Sequence, residues 1–298
     1  MIRLSHITKS FRAHKVLDDL TLEIKGSDRV ALIGSNGAGK TTLIRCLLGQ
    51  YVHEGMVEVD GVSPRLERTK VLAEIGFVPQ LPPPLKMPVM ELIHFSAGVC
   101  KAVPDHMIEL GERMGLDFSE LGSKPFNRLS GGQKQKILVA IALGRETKLL
   151  ILDEPTANLD PSARQILFEL LAERTDRPIL ISSHRLEEVS ALVNRVIEMD
   201  RGRIVLDDRV SDMVDGAARQ KSTLVLSRRE EAFAIAIDEW NFVSDNEGIT
   251  WTGEVAAPDR LRFLGTLSRY AGILASVQIE AIDEAIEQKE KGLEKVSS

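Results

Sequence analysis

The sequence predicts an α/β protein in which a large mixed α/β domain is followed by a small α+β domain. The first domain is indicated by an apolar run at residues 30–33, which leads into a glycine-rich stretch at 34–42 and then into apolar residues at helical spacing. Strand, glycine loop and helix in this order are typical of α/β folds. The second domain is indicated by six short patterns after residue 222, in the order β-α-β-β-α-β.

Length and composition agree with two soluble domains. The chain has 298 residues, of which 43% are hydrophobic and 28% charged. Its net charge of −6, without a basic stripe, argues against a nucleic acid partner.

Cys46 and Cys100 have no metal-binding spacing, so we expect reduced thiols and a cytosolic compartment. No apolar run approaches the ~18 residues that cross a bilayer, and a signal peptide is not indicated. We therefore expect no direct membrane insertion.

The glycine-rich stretch predicts a phosphate-binding loop. Its glycines allow successive backbone N–H groups to turn toward an anion, and the helix that follows adds the positive end of its dipole. Lys40 is expected to reach the β- and γ-phosphates, and the Thr41 hydroxyl to bind Mg²⁺. An ordinary glycine-rich turn would not need all these positions, so we predict a nucleoside triphosphate site. The predicted binding residues are Gly34, Ser35, Asn36, Gly37, Ala38, Gly39, Lys40, Thr41 and Thr42.

The rest of the first domain alternates between strand and helix patterns. A proline cluster at 81–84 predicts an exposed connector after Gln80, and residues 88–122 predict short helices. Methionines on these helices are expected to fill the core. Strands are predicted at 2–8, 20–24, 30–33, 55–59, 75–78, 149–152 and 179–183.

A second diagnostic region joins a glycine turn to a pair of acids. Ser130, Gly131, Gly132 and Gln133 open a long apolar helix, where bare N–H groups and a hydroxyl suit a phosphate. A buried strand then stops on Asp153-Glu154, at the end where α/β folds bind ligands. Asp153 is expected to hold Mg²⁺, and Glu154 to orient and polarise an attacking water. The alternative, a pair of solvated turn acids, fits the apolar strand poorly.

Together, these residues resemble the nucleotide-binding subunit of ATP-binding cassette (ABC) transporters over residues 1–215. The resemblance implies a P-loop NTPase cassette with a RecA-like mixed sheet, an antiparallel β subdomain and a helical subdomain at about 85–145. Residues 157–160 resemble the D-loop of the family, and His184 resembles its switch histidine. Phe11 resembles the aromatic residue that stacks on adenine, where tyrosine is commoner, although the residue could equally belong to the core.

The family resemblance also implies a mechanism that two copies must share. In a head-to-tail dimer, each ATP would lie between the phosphate loop of one copy and the Ser130 loop of the other. Glu154 would be the general base, His184 would hold the γ-phosphate, and Gln80 would sense Mg²⁺ and the water. The helical subdomain would contact a transmembrane permease at the cytoplasmic face of the membrane, which makes transport the expected function.

Residues 216–222 predict a linker, and residues 223–298 predict a ferredoxin-like domain that ends in a helix at about 282–294. This domain contains no Cys, His or Met, so a soft-metal site is not expected. Trp240 and Trp251 are predicted to pack in its core, and an exposed pair would instead indicate a docking face. In its position the domain looks like that of ABC-2 exporters, which favours export.

Other functions stay open at this point. A soluble ABC-type ATPase without a transporter, acting in metallocluster assembly or regulation, would use the same residues. A nucleotide-binding regulator would leave the Glu154 chemistry idle. A kinase or GTPase is not among them, because such an enzyme would not need the Ser130–Gln133 sequence.

Overall fold

The computed structural model describes residues 1–12, 14–175, 177–209, 219–245, 247–256 and 259–281. The chain divides into two compact units, Met1–Arg209 and Val210–Ser298.

A six-stranded sheet forms the centre of the first unit. Its strand order is β5-β6-β7-β3-β8-β9, and all neighbours are parallel except β8 and β9. The parallel strands are short apolar runs because helices cover both faces of such a sheet. The strands are β3 (Arg29–Ile33), β5 (Ile75–Val78), β6 (Leu149–Asp153), β7 (Ile179–Ser183), β8 (Arg195–Asp200) and β9 (Arg203–Arg209).

A three-stranded antiparallel sheet contributes to the same hydrophobic core, with the strand order β2-β1-β4. It consists of β1 (Ile2–Phe11), β2 (His14–Ile24) and β4 (Glu54–Val59). Phe11 is the last residue of β1, which extends beyond the strand predicted at 2–8. With 41% of its surface exposed, it is not a core residue.

Buried residues on the helices of the first unit belong to two separate hydrophobic clusters. A separate apolar cluster between residues 89 and 137 includes the buried Phe126 and Met107, as expected for a helical subdomain. The helices are α1 (Lys40–Leu47), α2 (Arg68–Ala73), α3 (Val89–Cys100), α4 (Pro104–Arg113), α5 (Phe118–Leu121), α6 (Gly131–Leu143), α7 (Pro161–Ala172) and α8 (Leu186–Val189).

Both cysteines are free, and burial raises the pKa of the Cys46 thiol to about 11.

The second unit has the element order β-α-β-β-α-β, and its antiparallel strands are ordered β11-β12-β10-β13. The ferredoxin-like class stays a prediction that agrees with this order. The elements are β10 (Arg219–Leu226), α9 (Glu231–Asp238), β11 (Val243–Ser244), β12 (Thr250–Ala256), α10 (Arg260–Ser268) and β13 (Leu274–Ala281).

The predicted linker was wrong at its C-terminal end, because residues 219–222 already pair with β12 and β13. Apolar and polar residues do not alternate in this segment, since residues such as Lys221 and Ser222 are polar. The sequence therefore shows no strand pattern there. The helix predicted at about 282–294 lies outside the described residues. Each tryptophan packs on a buried phenylalanine, Trp240 on Phe263 at a ring-centroid distance of 5.1 Å and Trp251 on Phe233 at 6.0 Å. Both tryptophans are only half-buried, so the prediction of core packing holds in part.

Candidate functional site

The loop between β3 and α1 has a backbone that glycine alone adopts easily. Gly34 has φ +152°, and a Cβ there would collide with the Met199 carbonyl oxygen. Gly39 has φ +109°, and its Cβ would lie 3.0 Å from the Val16 carbonyl oxygen. Gly34 therefore excludes a side chain by conformation and by space, and Gly39 excludes one mainly by conformation. Gly37 also has a positive φ, of +89°, but faces open space.

Lys40 turns its ammonium group back toward this loop. Its Nζ donates to the carbonyl oxygens of Gly34 at 2.6 Å and Ser35 at 3.2 Å, and lies 3.6 Å from Glu154 Oε1. Burial lowers the pKa of Lys40, and the neighbouring Glu154 carboxylate opposes that shift. The loop thus holds a buried cation among carbonyl groups, which bind it less strongly than phosphate oxygens would.

Asp153 ends β6 as a nearly fully buried carboxylate. The Ser182 hydroxyl donates to its Oδ1 at 2.6 Å, and the Thr41 hydroxyl donates to the same oxygen at 3.2 Å. Burial raises the pKa of Asp153, and the hydrogen bond from Ser182 works against that rise. Among the described residues no direct ion pair neutralises this buried carboxylate, so it is suited to a bound cation.

Glu154 follows in a strained backbone conformation, with φ +46°. Its amide N–H donates to Ser182 Oγ at 2.9 Å. Gln80 Nε2 donates to Glu154 Oε2 at 3.1 Å, while Lys40 lies on the Oε1 side. The carboxylate is therefore held at both oxygens, between the connector that follows β5 and the phosphate loop.

The donor set at this edge of the sheet fits Mg²⁺. A hydroxyl, a carboxylate and a side-chain amide carbonyl are hard oxygen donors, and Mg²⁺ usually takes one or two carboxylates together with phosphate oxygens. Thr41, Asp153 and Gln80 would hold the ion. Within the described residues, no group of three or more His, Cys, Asp or Glu forms an all-protein metal site.

The Ser130 loop begins α6 with a reciprocal cap. Ser130 Oγ accepts from the Gln133 N–H at 3.2 Å, and Gln133 Oε1 accepts from the Ser130 N–H at 3.1 Å. Ser130 and Gly131 are exposed, and a Cβ on Gly132 would lie 3.0 Å from the Asn158 carbonyl oxygen. In the described part of the chain, no hydrogen bond or ion pair joins this loop to the phosphate loop.

The structure brings together five predicted residues: Lys40, Thr41, Gln80, Asp153 and Glu154. Within the described residues, no hydrogen bond or ion pair joins His184 or Phe11 to this cluster. His184 is exposed directly after β7, and Phe11 is exposed at the end of β1.

Sequence reasoning missed the role of Ser182. The strand register sets Ser182 beside Asp153, and its hydroxyl bridges both acids. The available signal was the pair of polar residues, Ser182 and Ser183, inside an otherwise apolar buried strand. Both are buried, and buried hydroxyl groups are normally hydrogen-bonded.

Comparison with known proteins gives consistent matches. A family model described as ABC transporter matches residues 17–157. The energy-coupling factor transporter ATP-binding protein EcfA2 of Clostridium tetani is 32% identical over 252 residues, covering 74% of this chain and 85% of that protein. The Nod factor export ATP-binding protein I of Sinorhizobium fredii is 34% identical, covering 72% and 64% respectively. The phosphonates import ATP-binding protein PhnC 1 of Ruegeria sp. is 32% identical, covering 70% and 89%.

A solved structure has the same fold. The dimeric post-hydrolysis structure of the ATP-binding cassette MJ0796, bound to ADP and Pi, matches with a TM-score of 0.64 at 20% identity. The match covers 72% of this chain and 100% of that one.

Proposed function

The chain belongs to the ATP-binding subunits of ABC transporters, whose cassettes are ATPases coupled to transport, and we propose that it drives a separate transmembrane subunit by ATP-dependent dimer closure. The observation that carries the proposal is the cluster of Lys40, Thr41, Gln80, Asp153 and Glu154 at one edge of the parallel sheet. Phosphoryl transfer to water requires a cation near the phosphates, oxygen ligands for a metal ion and a carboxylate that orients the water. Lys40 would supply the cation, Thr41 and Asp153 the oxygen ligands, and Glu154 the carboxylate.

In the proposed reaction, the phosphate loop binds the nucleotide through its N–H groups, and Lys40 exchanges the Gly34 and Ser35 carbonyl groups for phosphate oxygens. Glu154 accepts a proton from water as the water oxygen bonds to the γ-phosphorus and the bond to ADP breaks. Gln80 keeps the Glu154 carboxylate oriented through their 3.1 Å hydrogen bond. When bound, Mg²⁺ supplies positive charge to the phosphates. His184 would contact the γ-phosphate.

The Ser130 loop is proposed to complete the site of a second copy. Its exposed Ser130 and Gly131, at the N-terminus of a 13-residue helix, can offer N–H groups and a hydroxyl to the γ-phosphate of the partner's ATP. The dimeric state of the MJ0796 cassette is in keeping with this arrangement.

A mixing experiment tests the shared site. Lys40→Met should inactivate the phosphate loop, and Gly131→Asp should inactivate the Ser130 loop, so each variant alone should lack ATPase activity. In mixed dimers one of the two composite sites contains neither substitution. We therefore expect part of the wild-type rate to return on mixing, at a level that depends on the mixing ratio. If no ratio restores activity while both variants stay folded by circular dichroism, the head-to-tail arrangement is wrong.

An exposed apolar stripe on the helical subdomain is proposed to contact the permease at the cytoplasmic face. Phe95 (58% exposed) and Val99 (67%) lie one turn apart on α3, and the exposed Val103 (62%) follows beyond the end of that helix. None of the helices in the described part of the chain is long and apolar enough to cross a membrane. A membrane role would therefore come through this contact with a transmembrane protein.

A pull-down from membranes tests this docking surface. Phe95→Ser with Val99→Ser should abolish co-purification of a transmembrane protein and leave the ATPase activity of the isolated chain unchanged. Val52→Ser and Leu66→Ser, at apolar positions that are 65% and 84% exposed elsewhere in the first unit, are the matched controls. Wild-type ATPase activity without any membrane partner would favour the soluble ABC-type ATPase instead.

We propose export as the direction of transport, because a single cassette precedes a small second domain. The comparisons lean the other way: import stands in the names of the phosphonate and sulfate relatives, and export in that of the Nod factor protein. In proteoliposomes, an exporter should show ATPase stimulation by cargo added on the same side as ATP. Stimulation only from the opposite side would indicate an importer.

A further inference from the structure

The Phe11 ring at the end of β1 contacts two other side chains, those of Tyr51 and Lys9. Its ring meets the ring of Tyr51 edge to face, with 5.2 Å between centroids and an interplanar angle of 81°. Lys9 Nζ lies 4.7 Å from the Phe11 ring centroid and 5.7 Å from that of Tyr51. Edge-to-face and cation–π contacts both depend on ring orientation, so these neighbours restrict how the exposed Phe11 ring can turn.

Tyr51 in turn is tied to the phosphate-loop helix. Arg45 Nη1 donates to the Tyr51 hydroxyl at 2.5 Å, and the Tyr51 N–H donates to the Arg45 carbonyl oxygen at 3.4 Å. Arg45 lies on α1 four residues after Thr41, one turn along the same face. One chain of contacts thus runs from the Phe11 ring through Tyr51 to the helix that carries Lys40 and Thr41.

We propose that Tyr51 is a positioning residue for the nucleotide base: it holds the Phe11 ring at a fixed orientation relative to the phosphate loop. The inference rests on the proposed function, in which Phe11 stacks on the base. Tyr51 itself contacts neither the phosphates nor the base; it acts through Phe11.

The expected size of the effect follows from side-chain freedom. An exposed phenylalanine has three staggered χ1 wells, and in the proposed arrangement one of them presents the ring to the base. When the competent state is only a fraction of the population, the apparent Kd rises by the inverse of that fraction. Loss of the Tyr51 ring should therefore weaken ATP binding about three- to tenfold and leave binding of the phosphates alone unchanged.

Calorimetric titration of the purified full chain with Mg-ATP and with Mg-tripolyphosphate tests the proposal. Tripolyphosphate has no base, so it reports the phosphate loop alone. Tyr51→Ala should raise the Kd for ATP and for GTP about three- to tenfold, because stacking is tolerant of base identity, and leave the tripolyphosphate Kd unchanged. Tyr51→Phe keeps the ring edge that meets Phe11 but loses the hydroxyl that accepts from Arg45, so its Kd for ATP should lie between those of the wild type and Tyr51→Ala. Val52→Ala, at the exposed neighbouring position, is the control.

The outcomes separate the two proposals. Equal weakening of ATP and tripolyphosphate in Tyr51→Ala would mean that Tyr51 supports the loop helix structurally, and the inference would be overturned. Unchanged binding of both would overturn it as well. Failure of the wild-type chain to bind ATP would instead remove the proposed function.

Discussion

Lys40 Nζ and Glu154 Oε1 lie 3.6 Å apart, with 5% and 13% of their side-chain surfaces exposed. The pair joins the phosphate loop to the end of β6, and each partner offsets the cost of burying the other. Binding of a triphosphate would replace the Glu154 carboxylate with phosphate oxygens as the neighbour of Lys40. Glu154 would then be available to a water molecule, so in the proposed reaction this one contact would couple nucleotide binding to release of Glu154 as the base.

The first prediction concerns the base. Glu154→Gln keeps the shape and the hydrogen bond from Gln80 but removes the proton acceptor. We expect ATP binding to persist while kcat falls by about 10²–10⁴, and an ATP-bound dimer to accumulate in size-exclusion chromatography. Glu146→Gln, at an exposed position before β6, should leave both unchanged. Wild-type turnover by Glu154→Gln would refute the assignment of the base.

The second prediction concerns pH. Burial raises the pKa of Asp153, so between the unfolded value of 3.8 and the raised folded pKa the native state binds more protons. The contribution of Asp153 to the free energy of unfolding is therefore greatest below this window and is lost as pH rises through it. Asp153→Asn should leave the melting temperature without nucleotide unchanged or higher at pH 7, flatten its dependence on acidic pH, and abolish the extra stabilisation by Mg-ATP.

Asp160→Asn is the control of opposite sign. A hydrogen bond from the Ala163 N–H lowers the pKa of Asp160, so this group stabilises the fold above its unfolded pKa and loses that effect as pH falls. Its replacement should therefore not raise the melting temperature at pH 7. A drop in melting temperature for Asp153→Asn at pH 7 would contradict the predicted sign of the Asp153 contribution.

The third prediction concerns Ser182, which bridges Asp153 and the Glu154 N–H. Ser182→Ala leaves that part-buried amide without its acceptor, which should cost about 1 kcal/mol of unfolding free energy. It also frees the carboxylate of Asp153 to turn, so kcat should fall although no group that contacts ATP is removed. Ser182→Thr, which keeps the hydroxyl, should recover kcat. Denaturant unfolding and steady-state ATPase assays measure the two effects, and an unchanged kcat in Ser182→Ala would contradict the positioning role.

How far the sequence predicts this site depends on how local each feature is. Lys40 and Thr41 follow from a contiguous loop between a strand and a helix. Their meeting with Asp153 and Glu154 follows from the rule that ligands bind at the carboxyl ends of parallel strands. Ser182 could not be found in this way, because its pairing with Asp153 depends on the register between β6 and β7.

Tyr51 illustrates the same limit, since nothing in its local sequence indicates a partner forty residues away in β1. The error at the start of β10 has another cause: residues 219–222 are polar, and their strand conformation comes from pairing on both sides. Tertiary pairing overrides a weak local preference there.

The last prediction concerns the backbone of the phosphate loop. In Gly34→Ala, the added Cβ would collide with the Met199 carbonyl oxygen, at a φ of +152° that L-residues avoid. Because Met199 lies in β8, which pairs with β3, the clash must move the loop or separate two central strands. We expect a lower melting temperature and loss of both ATP and tripolyphosphate binding. Gly26→Ala is the matched control, since Gly26 has no positive φ and a Cβ there meets nothing within 4 Å. Gly26→Ala should bind ATP and tripolyphosphate as the wild type does. If Gly34→Ala bound both ligands equally well, the loop would tolerate a side chain at the end of β3, and this prediction would be wrong.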